Sequence, residues 1–213
     1  MAAASDESES SLLRLQEGDP DALADEFSRH RERLHRMVAF RMDRRLLGRI
    51  DAEDVLQEAY LGAAQRIRHY INKPSTSLFI WLRQIVTQTL IDIHRRHLGA
   101  KKRNAGREIS IDQRYHPATS VSLAGGLAGS LTSPSGVAMK QERVRQLEEA
   151  LETMAPIDQE VIALRHFEEL TNSEVAEVLD LNQKAASIRY VRAVRRLKKI
   201  LENFPGFKDA GND

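Results

Sequence analysis

The groups best placed to do chemistry in this chain are cations at close spacing. His94, Arg95, Arg96, His97, Lys101, Lys102, Arg103 and Arg107 follow one another with no acid between Asp92 and Glu108. A second run, Lys184, Arg189, Arg192, Arg195, Arg196, Lys198 and Lys199, places seven positive charges and no acid in residues 184–199. Such groups make and break no bonds. At this density they repel one another unless an anion balances them, and nucleic-acid phosphate is the commonest such anion. A solvated helix end is the plainer reading of the first run, because cations suit a helix C-terminus. Carboxylates gather elsewhere. Asp51, Glu53, Asp54, Gln57 and Glu58 share one short stretch. Asp51 and Asp54 stand as N-cap and third residue of a helix, a variant capping box. No His or third carboxylate converges nearby, so a metal is a poor fit. His94 and His97 stand three apart without further ligands and belong with the cationic face.

The chain has no cysteine, hence no disulfide and no thiolate chemistry. It has no Gly-rich phosphate loop and no nucleophile elbow. The sequence therefore predicts no enzyme, no metal and no cofactor. The amino end is acidic and polar, unlike a signal peptide, and no run of about 18 apolar residues exists. A cytoplasmic location is the expectation.

The net charge of +1 hides a segregation of signs. Residues 1–26 carry eight acids and one Arg, residues 27–50 eight Arg and two acids, and residues 141–180 eleven acids and three Arg. Separate basic blocks point to more than one contact with a polyanion.

Helices must position these groups. Ser11 to Glu17 suits a short one. Gly18-Asp19-Pro20 reads as a stop and restart, with Asp19 as N-cap and Pro20 at the first helical position. The helix that follows turns Leu23, Phe27, Leu34, Met37, Val38 and Leu46 inward. The helix after Asp51 buries Val55, Leu56, Ala59, Leu61, Ala63 and Ile67, leaving Asp54, Gln57, Glu58 and Arg66 pointing elsewhere. His69 to Ser77 is a polar loop, and Pro74 forbids helix there. With Asn72, Lys73, Ser75 and Thr76 it is either an ordinary turn or a loop that holds an unstacked base. Ser77 caps a helix with Leu82, Ile85, Val86, Thr89, Leu90 and Ile93 on one face.

Residues 104–140 show no trustworthy period and read as a flexible linker. They divide an all-α chain into two small domains, residues 11–103 and 141–203. In the second, Val144, Leu147, Ala150, Leu151 and Met154 mark a helix ended by Pro156, and Val161, Ile162, Leu164 and Phe167 mark the next. Thr171-Asn172-Ser173-Glu174 is a full capping box for a short helix. After the turn Asp180-Leu181-Asn182, a final helix from Gln183 buries Ala186, Tyr190, Val194, Leu197 and Leu201. Its other face carries Lys184, Ser187, Ile188, Arg189, Arg192, Arg195, Arg196 and Lys199. Short helix, tight turn and basic helix make a helix-turn-helix. A basic helix in an ordinary bundle is the competing reading.

Four stretches in this order resemble the extracytoplasmic-function sigma factors, small bacterial initiation factors of RNA polymerase. Gln16 to Leu23 looks like the family's opening. Asp51 to Tyr60 looks like its polymerase-binding helix. Phe79-Ile80-Trp81-Leu82 with Ile91 to Arg96 looks like its melting and minus-10-reading helix. Leu170 to Leu197 looks like its minus-35-reading helix-turn-helix. The resemblance implies that Asp51, Glu53, Asp54, Gln57 and Glu58 meet the clamp helices of the polymerase's largest subunit. It implies that Asn72, Lys73, Ser75, Thr76, Trp81, Gln88, Arg95, Arg96, Lys101 and Lys102 serve the minus-10 side, a flipped base included. It assigns Thr171, Lys184, Ser187, Ile188, Arg189, Arg192, Arg195 and Arg196 to the minus-35 side, and runs the linker through the RNA exit path. Core polymerase and promoter DNA are the implied partners, the free protein is expected to be a monomer, and an opposing anti-sigma factor stays open. Base discrimination is expected at Lys184, Ser187, Ile188 and Arg189, at about 1–3 kcal/mol for each good contact. Three departures withhold promoter preference: Gln88 where the family often has Asn, Asp180 where the turn usually has Gly, and Ala185-Ala186 in place of Thr-Val. A stand-alone helix-turn-helix regulator and a helical interaction module remain alternatives.

Overall fold

A computed structural model describes residues 12–19, 21–46, 48–98, 123–127 and 137–207. Pro20, Lys101, Lys102, Arg103, Arg107 and the acidic residues 1–11 lie outside it. Every regular element among the described residues is helical, as the sequence predicts. The chain divides into two compact units, Met1–His116 and Pro117–Asp213.

In the first unit a short helix, α1 (residues 12–16), precedes three long ones: α2 (Ala22–Arg41), α3 (Ala52–Asn72) and α4 (Leu78–Leu98), which pack on one another. Asp19 is not the N-cap it was expected to be: Asp21 holds that position without a side-chain cap bond, and the Asp19 carboxylate accepts from the Asp21 N–H at 2.9 Å and from Arg14 at 2.8 Å in the turn before it. The helix itself begins two residues later than Pro20. It stops at Arg41, so Leu46 reaches the core from a separate 3-10 turn, Arg44–Leu46. The Asp51–Asp54 box opens α3 with bonds of 3.0 and 2.9 Å. Asn72 is the last residue of α3, so the loop is shorter than the sequence suggested. All six residues of the α4 stripe are buried, but so are Leu78, Phe79, Ile80, Arg83, Thr87 and Ile91. That breadth is what a helix packed against two others requires, and α4 touches both α2 and α3.

The second unit contains α5 (residues 123–127), α6 (Val137–Glu152), α7 (Pro156–Ile162), α8 (Asn172–Leu179) and α9 (Gln183–Leu201), then a 3-10 turn, Pro205–Phe207. Pro156 sits at the start of α7, where its missing N–H costs nothing. A π turn, Ala163–Phe167, continues α7. The Thr171–Glu174 box opens α8 with bonds of 3.2 and 2.7 Å. Asp180 ends it in the left-handed region at φ 55°, a conformation that costs a residue with a Cβ more than it costs glycine. Asn182 then caps α9 by accepting from the Ala185 N–H at 2.7 Å.

The structure departs from the sequence expectation at the linker and on the inner face of α9. The stretch 123–127 is helical, with Leu123 and Ala124 fully buried, and Gly126 lies so close to Phe167 that an added Cβ would stand 2.3 Å from the ring. A feature assigned to a structureless linker is therefore a packed part of the second unit, and α6 likewise starts inside the expected linker. On α9 the buried residues are Ala186, Ala193 and Leu197, while Val194 is 42% exposed. At about 100° per residue, stepping by four from Ala186 drifts Val194 about 80° off the inner line, whereas Ala193 falls within about 20° of it.

Candidate nucleic-acid interface

On α3, Asp54, Gln57, Glu58 and Leu61 are all exposed. Their spacing of three, four and seven makes one stripe along the helix. Leu61, expected inside, is 61% exposed. It stands one turn beyond Glu58 at the end of the stripe, and its type and spacing are those of a core residue, which is why periodicity alone misplaces it. Two of the acids are already paired. Glu53 is bonded to Arg31 of α2, and Glu58 meets Arg96 of α4 at 2.5 Å. Both pairs are open to solvent, with side-chain exposures between 36% and 56%.

Beyond α3, the residues 73–77 turn toward α4. The Tyr70 hydroxyl donates to the Thr76 carbonyl at 2.9 Å. Trp81 stacks on Tyr70 with ring centroids 4.8 Å apart. The aromatic face of Trp81 is thus partly used within the protein. The Thr76 hydroxyl is buried and has no hydrogen-bond partner in the protein, while Lys73 and Ser75 are exposed. Further along α4, Gln88 donates to Asp92 at 3.1 Å, Arg95 is exposed, and Arg96 bends to Glu58.

His94 departs from its expected place in the cationic face. Its Nε2 accepts from the Asp43 N–H at 3.3 Å, which requires that nitrogen unprotonated. Burial pushes its pKa down, and nearby Arg45 pushes the same way against Asp43. Asp43, gripped by the Arg45 side chain at 2.5 Å, is itself lowered to about 2.

In the second unit, α8 and α9 pack as the two arms of a helix-turn-helix. Thr171 is the N-cap of α8, so its hydroxyl is engaged with Glu174 while the residue stays exposed. Lys184, Ile188, Arg192 and Arg195 are exposed and Ser187 half-buried. Val191, which the sequence reading passed over, is 43% exposed among them, and Ile188 is 40% exposed. Arg189 and Arg196 are different. Each donates through Nη1 to one oxygen of Asp158, both at 3.0 Å. Asp158 comes from the first turn of α7 and is buried. Nothing in the local sequence marks it, since it lies 31 and 38 residues from its partners. In the π turn that continues α7, Arg165 lies over the Tyr190 ring at 5.5 Å, and Tyr190, expected inside, is half-buried.

Among the described residues no group of three or more His, Cys, Asp or Glu side chains is arranged to hold a metal ion. No described helix is long and apolar enough to cross a membrane.

A family model described as ECF sigma factor matches residues 7–202. The ECF RNA polymerase sigma factor SigW of Bacillus subtilis (strain 168) is 22% identical over 194 residues, spanning 90% of this chain and 95% of that protein. A solved structure of CnrH in complex with the cytosolic domain of CnrY superimposes with a TM-score of 0.50 at 18% identity, covering 91% of this chain and 96% of CnrH. At that identity the likeness speaks for the fold.

Proposed function

This chain belongs to the ECF sigma factor family, and from that membership we propose that it binds core RNA polymerase and directs it to promoters of two-part sequence. The family is not one of enzymes, and the work done is recognition. The observation that carries the reading is the pairing, in one chain of that family, of an exposed acidic stripe on α3 with a basic recognition helix α9 in a separate unit.

The α3 stripe docks on polymerase. Asp51, Glu53, Asp54, Gln57 and Glu58 offer carboxylates and an amide to a basic partner, and Leu61 supplies an apolar anchor among them. Charges of this kind steer and orient encounter more than they add affinity, and a buried apolar centre supplies the holding contact. On the minus-10 side, Arg95 and Arg96 with Lys101 and Lys102 meet phosphates. The residues Asn72, Lys73, Ser75 and Thr76 hold an unstacked base, with Trp81 and Gln88 beside them. The unpartnered Thr76 hydroxyl supports this, because a buried hydroxyl without a partner is costly until something meets it. Opening DNA by trapping bases needs no nucleotide hydrolysis. On the minus-35 side, Lys184, Ser187 and Ile188 at the start of α9 enter the major groove, and Arg192 and Arg195 meet phosphates. Thr171, exposed at the α8 N-cap, lies on this side through the α8 N-terminus. An anti-sigma factor is a further expected partner, and the free protein is expected to be monomeric.

The deciding experiment is reconstituted transcription with purified core enzyme on a promoter library. Start sites selected only in the presence of this protein support the reading. Random initiation with and without it removes the reading.

A further inference from the structure

Asp158 and its two arginines are organised in a way the promoter reading does not use. Measured from Ala186 at about 100° per residue, Arg189 and Arg196 lie about 60° and 80° to one side of the inner line of α9, and so share one flank. Lys184, Ile188 and Arg195 lie on the opposite, outward side, within about 20° of its centre. Arg189 and Arg196 are seven residues apart, about 10 Å along the axis. Two cations reaching from that separation toward one another repel. They converge because one carboxylate takes one oxygen to each, at 3.0 Å in both cases. The Asp158 side chain is 11% exposed while the two arginines are 38% and 59% exposed. The acid is fixed in the α7–α9 packing, and the guanidinium groups remain open on their far edges. A guanidinium has five N–H donors, and the bonds to Asp158 use one from each.

Resting on the promoter reading above, we propose that Asp158 is a positioning residue that holds Arg189 and Arg196 as a paired clamp for two backbone phosphates flanking the minus-35 contact. The proposal reassigns Arg189. A side chain held back to the flank of α9 through Nη1 is not the base reader its sequence position suggested, and discrimination rests on Lys184, Ser187 and Ile188. It also separates two kinds of cation on one helix. Arg192 and Arg195 rely on their own rotamers, whereas Arg189 and Arg196 have theirs set before DNA arrives. Preorganised donors lose less freedom on binding.

The sign of one substitution is diagnostic. Removing an acid from a DNA-facing basic surface should by charge alone tighten binding. A positioning acid gives the opposite sign. Full-length protein carrying Asp158→Asn or Asp158→Ser is assembled with core polymerase and titrated onto a promoter chosen by the unaltered holoenzyme. Circular dichroism selects whichever variant is folded. Binding should weaken about threefold to tenfold, and the slope of log affinity against log salt should fall by about two phosphates' worth. The same substitution in an Arg189→Gln/Arg196→Gln background should change nothing further. That double variant, measured alone on a promoter library, should lose affinity evenly across base sequences. Tighter or unchanged binding by the Asp158 variants overturns the positioning role, and a base preference altered at one promoter position in the arginine variant overturns the phosphate assignment. If the unaltered protein selects no promoter, the underlying reading falls and this one with it. Normal promoter selection with an indifferent Asp158 removes this proposal alone.

Discussion

The two units hold their paired arginines by opposite means. In the first, Arg31 and Arg96 pair with Glu53 and Glu58 out in solvent, each partner at least a third exposed. In the second, Arg189 and Arg196 pair with an acid that is 11% exposed. Exposed pairs are worth about 0–1 kcal/mol and dissolve readily when a better partner arrives. A carboxylate taken out of water is tied to its cations, because losing them leaves a desolvated charge. The same chemical pair is therefore easily opened in one unit and firmly held in the other.

The largest effect that can break this comparison is on the buried side. Arg189→Ala combined with Arg196→Ala strands Asp158 and should destabilise the second unit by about 3 kcal/mol. Asp158→Ala should cost less, because both arginines can turn to water. Denaturant unfolding of the three proteins checks the order, and equal costs would mean that Asp158 is as replaceable as the surface acids. Next in size, charge reversal at Glu58 should weaken capture of core polymerase about tenfold, roughly 1.4 kcal/mol, with little change in melting temperature, whereas at Asp54 the same loss should come with a lower melting temperature because the capping box that opens α3 is broken too. An unchanged pull-down removes that residue from the docking surface.

A third prediction concerns pH. The pKa of His94 is lowered by burial in the folded state, so the unfolded chain binds the proton more tightly. Stability is then complete above about pH 6.5, the ordinary histidine value, and declines as pH falls below it. The first unit should melt earlier at mildly acid pH, and His94→Gln should flatten that decline. Asp43, lowered to about 2, acts in the same sense but only below the ordinary carboxylate range. The smallest effect is expected at Arg31→Gln and Arg96→Gln, within about 0.5 kcal/mol of wild-type stability. A loss of several times that size would show that the exposed pairs hold the fold.

Much of this arrangement was legible because its signals are local. Asp51 with Asp54 and Thr171 with Glu174 are each set by residues within one turn. The inner stripe of α4 follows from its period. What escaped has physical reasons too. Leu61 has the type and spacing of a core residue, and only packing shows that nothing covers it. Val194 was lost to angular drift over two turns. Glu169 adopts φ 54° with no glycine or asparagine to announce it. The role of Asp158 is fixed by α9, 31 residues further along the chain, and no short window contains both. His94 was grouped with its basic neighbours, although the acceptor it provides serves a backbone amide 51 positions away.

Gly126 has a consequence for how the chain tolerates change. It sits in a run of small residues that any composition-based view treats as spacer, yet a methyl group there would force the Phe167 ring aside. Phe167 closes the π turn from which the chain proceeds to α8. A side chain at this inconspicuous glycine would therefore press on the turn that leads into α8, so a stretch that looks freely variable is held to the standards of an interior.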